Sequence, residues 1–132
     1  MRVMVIKRTV VLMALLAAAV VPGLATARPA FEHITMDRSV PGDGEKVAGQ
    51  VSEIRLFFSG APLMRGASIR VVNSARSLMR SSPPAADSTD DKQIFVRIDP
   101  ALPPGTYVVQ WRCIADDGHV MRGDFTFEVT AE

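Results

Sequence analysis

Apolar and polar residues alternate in short runs along most of the chain after residue 27, and Gly, Pro, Asp and Ser residues separate the runs. This period-two alternation is typical of strands with one buried face, and no stretch of useful length shows the 3.6-residue period of a helix. The runs predict strands at about 33–38, 51–59, 67–72, 93–98, 106–114 and 123–130. The sequence therefore predicts an all-β, Ig-like Greek-key β-sandwich of about seven strands.

The clearest alternation lies between Thr106 and Ile114, where Tyr107, Trp111 and Cys113 fall on one face. A tryptophan on the inner face of a sandwich packs in the core, so Trp111 is predicted to be a packing residue. Cys113 shares that face and is predicted to be a small buried hydrophobe, not a metal ligand.

One segment breaks the pattern. Ser74–Lys92 has few large apolar residues, contains Pro83-Pro84, and is rich in aspartate between residues 87 and 91. Such composition is typical of surface connections. We predict that most of it is a mobile loop, with room for one short strand near Ser77–Arg80.

The first 27 residues have the layout of a secretory signal peptide. A basic start precedes an apolar run from Thr9 to Val21, and Ala25-Thr-Ala27 places small residues at the −3 and −1 positions. A retained membrane anchor is disfavoured, because this run has 13 residues and a span needs about 20. We therefore predict a signal peptide at residues 1–27, a single sandwich domain at residues 28–132, and export from the cytoplasm.

Charge and composition exclude several classes of function. Residues 1–27 carry three basic residues and no acid, so the formal charge of +1 becomes −2 for residues 28–132. This excludes binding driven by a strongly basic overall surface, as for nucleic acid or anionic membrane. One cysteine excludes a disulfide framework. The nucleophile elbow, phosphate-binding loop and His-Glu-x-x-His motifs are missing from the sequence, so we do not expect an enzyme.

The candidate chemistry lies in Asp117-Gly118-His119. Residues i and i+2 of an extended chain project to one side, and Gly118 permits a tight turn and keeps bulk away. With a second imidazole, this carboxylate and imidazole would form an N/N/O donor set suited to Cu(II) or Zn(II). Taken alone, the three residues fit a solvated turn better, with Asp117 accepting backbone N–H bonds and His119 exposed.

Several segments together resemble the CopC-type copper-resistance proteins, a family of small periplasmic β-sandwich copper carriers. The resemblance rests on His33 followed by Pro41-Gly-Asp-Gly44, Ile54-Arg-Leu-Phe-Phe-Ser59 with Pro62-Leu-Met64, Leu102-Pro-Pro-Gly-Thr-Tyr-Val-Val-Gln-Trp-Arg112, Asp117-Gly-His119 and Gly123-Asp-Phe-Thr-Phe127. It covers nearly all of residues 33–130, and the Ser74–Lys92 segment is the least similar part.

The resemblance implies that His33, Asp117 and His119 bind Cu(II). These ligands include both histidines of the chain. In many family members the first histidine is the mature N-terminus, and its amine also binds copper. Here residues 28–32 would precede His33 after cleavage, so we do not expect an amine ligand.

Some family members also bind Cu(I) in a methionine-rich loop, since thioethers are soft donors. The corresponding stretch here, Ser74–Pro84, contains Met79 and no histidine. We expect Met79 to fill space in the core, and we expect no Cu(I) site.

The favoured interpretation is a periplasmic copper-binding protein, a Cu(II) carrier or buffer in copper resistance, with a CopD-type membrane copper protein as a partner that the resemblance implies. The alternative is an interaction module of the same fold whose metal site is altered or lost. A copper oxidase with a histidine brace is the least favoured, because it needs the terminal amine.

Overall fold

The computed structural model describes residues 33–132, and the predicted signal peptide lies outside the described residues. Within residues 33–132 all regular structure is β, and no helix there is long and apolar enough to cross a membrane. The strands are β1 (Met36–Val40), β2 (Lys46–Ala48), β3 (Val51–Phe58), β4 (Leu63–Asn73), β5 (Ala85–Ala86), β6 (Gln93–Leu102), β7 (Gly105–Ile114) and β8 (Val120–Thr130).

The strands form two four-stranded sheets, ordered β1-β3-β6-β5 and β2-β8-β7-β4. All the paired strands are antiparallel except β2, which runs parallel to β8. Among the described strands, β5–β6 and β7–β8 are neighbours both in sequence and in a sheet, and every other connection leads to a strand that is not the adjacent one. The predicted all-β sandwich is confirmed.

The core lies between the two sheets, and alternation along each strand builds it. The alternate apolar positions at 54–58 of β3, 94–98 of β6 and 125–129 of β8 are all buried, because they occupy the face that meets the opposite sheet. The buried residues on these three strands include Ile54, Leu56, Phe58, Ile94, Val96, Ile98, Phe125, Phe127 and Val129.

Cys113 and Trp111 occupy the inner face of β7. Cys113 is fully buried, as predicted, and burial raises the pKa of its thiol to about 11. Trp111 is half-buried and packs edge-on against Phe58 of the other sheet, with ring centroids 5.6 Å apart. The indole lies over Gly123, where an added Cβ would be 2.9 Å from Cζ2. Gly123 thus provides the space that Trp111 occupies on the neighbouring strand.

Three features differ from the sequence prediction. β2 and β5 were not predicted, since strands of three and two residues show no measurable period. The segment Ser74–Lys92 contains β5, which pairs with β6, and bridges join Leu78 to Val72 and Ser81 to Ile98. This segment has few apolar side chains, and backbone hydrogen bonds to β4 and β6 hold it against both sheets. The short strand expected near Ser77–Arg80 is reduced to the single bridge at Leu78.

Candidate metal site

Five residues, Ala115–His119, join β7 to β8, and Asp116–Gly118 form the tight hairpin turn within them. The N–H of Ala115 donates to the carbonyl of His119 at 2.8 Å, and the N–H of Gly118 donates to the carbonyl of Ala115 at 2.9 Å. Gly118 has a φ of 87°, which fits the common hairpin loop made of a type I turn and one left-handed residue. An added Cβ at Gly118 would meet nothing within 4 Å. The glycine is therefore required for the backbone conformation and not for space.

The loop brings Asp117 and His119 into direct contact. Asp117 Oδ1 accepts the backbone N–H of His119 at 3.0 Å, and Asp117 Oδ2 lies 2.7 Å from Nδ1 of the His119 ring. The sequence analysis gave two reasons for this pairing, the projection of residues i and i+2 of an extended chain to one side and a tight turn at Gly118. The chain turns here, so the second reason applies and the first does not. The backbone hydrogen bond from His119, followed by that from its imidazole, lowers the pKa of Asp117. The loop thus presents an ionised carboxylate beside an imidazole.

His33 reaches the loop from the segment before β1. The N–H of Thr35 donates to Ser59 Oγ at 3.0 Å, and the N–H of Ser59 donates to the carbonyl of Thr35 at 2.9 Å. These two bonds fasten the segment to the end of β3, and His33 Nδ1 then lies 3.8 Å from Asp117 Oδ2. The sequence analysis did not identify Ser59 as a positioning residue. The only indication of this role in the sequence is that Ser59, a polar residue, follows the alternating run of β3.

All three predicted ligands meet at this end of the sandwich. One candidate ligand atom from each of His33, Asp117 and His119 lies within 4.8 Å of the other two, and the histidine ring centroids are 5.2 Å apart at 79°. Donors bonded to one ion at about 2.0–2.1 Å are about 2.8 Å apart when adjacent and about 4.1 Å apart when opposite. Asp117 Oδ2 lies 2.7 Å from Nδ1 of His119 and 3.8 Å from Nδ1 of His33, and both distances are close to this range. Small rotations of the rings would therefore let all three donors reach one ion.

Exposure distinguishes the carboxylate from the two imidazoles. The side chains of His33 and His119 are 73% and 68% exposed, whereas that of Asp117 is 22% exposed. The carboxylate is held in place by the loop, and both rings are open to solvent. An ion could therefore enter or leave without any rearrangement of the core.

The methionines of residues 33–132 contribute to packing. Met36, Met64, Met79 and Met121 are partly buried and pack against the core. The backbone N–H of Met79 also donates to the carbonyl of Val71 at 2.7 Å. This is the space-filling role that the sequence predicted for Met79.

Comparison with known protein families shows the family to which this chain belongs. A family model described as the CopC domain matches residues 36–130, which is well over half of the chain. The chain belongs to the CopC family. The CopC match includes Asp117 and His119 and begins three residues after His33.

Relatives and solved structures agree with this membership. Copper resistance protein C of Escherichia coli is 32% identical over 111 residues, covering 76% of this chain and 83% of that protein. Copper resistance protein C of Pseudomonas syringae pv. tomato is 29% identical over 112 residues, covering 81% and 88%. Protein YobA of Escherichia coli K12 is 26% identical over 99 residues, covering 75% and 80%.

Two crystal structures share the fold. PcoC, described as a methionine-rich copper resistance protein from Escherichia coli, superposes with a TM-score of 0.67 at 27% identity and covers 75% of this chain and 100% of its own. CopC from Methylosinus trichosporium OB3b superposes with a TM-score of 0.69 at 24% identity, covering 76% and 96%. The second likeness concerns the fold alone.

Proposed function

We propose that this CopC-family protein binds Cu(II) through His33, Asp117 and His119 and acts as a carrier or buffer in copper resistance. The observation that carries the proposal is the convergence of both histidines of the chain on one ionised carboxylate. The two histidines come from opposite ends of the domain. The anchoring of residue 35 to β3 and the β7–β8 loop are both needed to bring them together.

The donor set favours copper on chemical grounds. Two imidazole nitrogens and one carboxylate oxygen suit Cu(II) or Zn(II), and Cu(II) forms the more stable complexes in the divalent series. A metal ligand must be deprotonated. A Cu(II) ion bound to both Asp117 and Nδ1 of His119 would therefore take the place of the proton in the 2.7 Å contact between them.

The open rings favour transport or buffering over catalysis. An ion held by His33 and His119 would remain accessible to an acceptor, because both side chains are largely exposed. We place the protein in the periplasm, exported by the predicted signal peptide at residues 1–27. A CopD-type membrane copper protein is the partner that the family resemblance suggests.

A second candidate function follows from the start of the CopC match. The family model begins at residue 36, and residues 28–32 would precede His33 after cleavage at Ala27. The terminal amine would then belong to Arg28 and not to His33, so we expect only three protein donors. A CopC-fold interaction module whose metal site is altered or lost is the alternative.

A competition titration of Cu(II) into residues 28–132 separates the two functions. We expect one-to-one binding that is abolished in His33→Ala/His119→Ala and weakened at least about 10- to 100-fold in Asp117→Asn, since even residues that only orient metal ligands contribute that much. Asp116→Asn is the matched control. It changes the charge of the same loop by the same amount and is expected to bind like the parent protein.

Two outcomes of the titration would contradict the proposal. If the parent protein binds no more tightly than the double histidine variant, the interaction module becomes the better interpretation. If Asp116→Asn and Asp117→Asn weaken binding equally, the loop attracts copper through its overall charge, and the proposed ligand set is wrong.

A further inference from the structure

The outer face of the sheet β2-β8-β7-β4 carries a groove of about 440 Å³ that is rich in arginine. Arg70 on β4, Arg112 on β7 and Arg122 on β8 line it, and Asp124 is the one acidic residue in its lining. Among residues 33–132, none of these three arginines has a carboxylate within 4.0 Å. The groove thus holds an uncompensated positive charge on a domain whose formal charge is negative.

The register of the sheet places two of these arginines directly opposite each other. Arg112 pairs with Arg122 across the antiparallel β7–β8 ladder. Like charges in directly opposed positions destabilise a sheet. Asp124 lies on the same face, but among the described residues no carboxylate is within 4.0 Å of either guanidinium, so no ion pair offsets the repulsion. An anion bound at this surface would accept hydrogen bonds from both guanidinium groups and so offset their mutual repulsion.

Arg112 is also held in position. Its Nη1 donates to the carbonyl of Gly66 at 2.9 Å, at an irregularity in the pairing of β4 with β7. Gly66 has a φ of 75°, and an added Cβ there would lie 3.3 Å from this Nη1. The same Cβ would lie 2.9 Å from Ile114 Cδ1, so the backbone at Gly66 is packed closely by both Ile114 and Arg112. A guanidinium oriented before binding loses less conformational entropy when it meets a carboxylate.

We infer that this groove docks an extended acidic segment of a partner protein. Arg70 and Arg122 lie on strands separated by β7, so about 10 Å divides their backbones at the usual strand spacing. The three guanidinium groups are carried by three adjacent strands, so an extended segment that crosses the strands can offer a separate carboxylate to each of them. Carboxylates on alternate residues of an extended chain are about 7 Å apart, and each can accept two hydrogen bonds from one guanidinium.

The groove lies on the two strands that lead into the loop of the candidate metal site. Arg112 lies two residues before the end of β7, and Arg122 lies two residues after the start of β8. The same two strands lead into the loop that carries Asp117 and His119. A segment docked across them would hold its parent protein beside this loop. The docking itself does not depend on copper, so its test uses the metal-free protein.

The test is fluorescence anisotropy with a defined probe. A fluorescein-labelled octapeptide of alternating glutamate and threonine is titrated with metal-free residues 28–132, beside an identical peptide with glutamine at every glutamate. We expect saturable binding of the glutamate peptide only, weakening as salt is added. We expect Arg112→Gln/Arg122→Gln to weaken the binding at least tenfold.

Two variants distinguish the loss of the groove arginines from a general loss of positive charge and from unfolding. Arg80→Gln/Arg97→Gln removes the same charge from a different pocket, formed by β6 of the other sheet and the segment before β5, and is expected to change the affinity less than twofold. Arg122→Glu replaces the opposed arginines by an opposite-charge pair, so it is expected to abolish binding while keeping or raising Tm. Loss of binding in that variant cannot then be attributed to unfolding.

Several results would overturn the inference. These are no binding of the glutamate peptide by the parent protein, equal weakening by the two double variants, or undiminished binding by Arg122→Glu. Displacement of the peptide by citrate at or below the peptide's own Kd would point to a small-anion site instead. An oligonucleotide that binds as tightly as the peptide would also contradict an acidic protein segment as the occupant.

Discussion

The loop that carries Asp117 and His119 depends on the backbone conformation of Gly118, and this dependence can be measured. Gly118 has a φ of 87°, and an added Cβ would meet nothing within 4 Å. Gly118→Ala therefore introduces backbone strain without a steric clash. Gly118→Asn introduces a residue that adopts the left-handed conformation more readily than other non-glycine residues.

The magnitude follows from two opposing effects. A left-handed conformation costs an alanine about 1–2 kcal/mol, and the smaller entropy of the unfolded alanine chain offsets about 0.4–1 kcal/mol of that cost. The net loss in the free energy of unfolding is then about 1 kcal/mol. Domains of about 100 residues have an unfolding entropy near 0.2 kcal/mol/K, so we expect Tm to fall by about 5 °C in Gly118→Ala.

Thermal unfolding followed by circular dichroism tests this expectation with the Gly118→Asn variant as the matched control. We expect the asparagine variant to lose less than half of what the alanine variant loses, and to retain the copper affinity of the parent protein better. Equal Tm losses in the two variants, or no loss in Gly118→Ala, would refute the reasoning from the left-handed backbone.

Three further predictions address packing, thiol reactivity and acid stability. Gly123→Ala is expected to destabilise the protein by about 1–3 kcal/mol in urea unfolding, because the new Cβ would lie 2.9 Å from the Trp111 indole; an unchanged midpoint would contradict this packing. Native Cys113 is expected to resist maleimide, because burial raises its pKa to about 11; labelling as fast as in the unfolded chain would refute its burial. Hydrogen bonds, chiefly from Thr89 and then from Arg55, lower the pKa of Asp87 from 3.8 to about 2. Its contribution to stability is thus complete above pH about 5 and lost as the pH falls through the folded pKa. Asp87→Asn should therefore be less stable than the parent at pH about 7 and nearly equal to it near pH 2, and a difference that persists near pH 2 would contradict this assignment.

The inner faces of the long strands could be predicted from the sequence because burial itself produces the signal. Ile54, Leu56 and Phe58 are all buried and alternate with Arg55 and Phe57, which are half-buried. β2 and β5 could not be predicted, since each is defined by its pairing with another strand and is too short to show a period.

The ligand residues at the candidate site could be named from the sequence, but their arrangement could not. The contact between Asp117 and His119 comes from a loop with a left-handed Gly118, and the position of His33 depends on the pairing of Thr35 with Ser59. Both are long-range or turn-specific features that residue type alone does not determine. The opposition of Arg112 and Arg122 is likewise a consequence of strand register, which becomes visible only once the sheet is formed.

The coordination of Cu(II) by both histidines is most directly tested by pulsed electron paramagnetic resonance on residues 28–132 labelled with ¹⁵N-histidine. One equivalent of Cu(II) is predicted to show coupling to two histidine nitrogens, and to one only in His33→Ala. A spectrum without ¹⁵N-histidine coupling, or two couplings that persist in His33→Ala, would contradict a copper site formed by His33, Asp117 and His119.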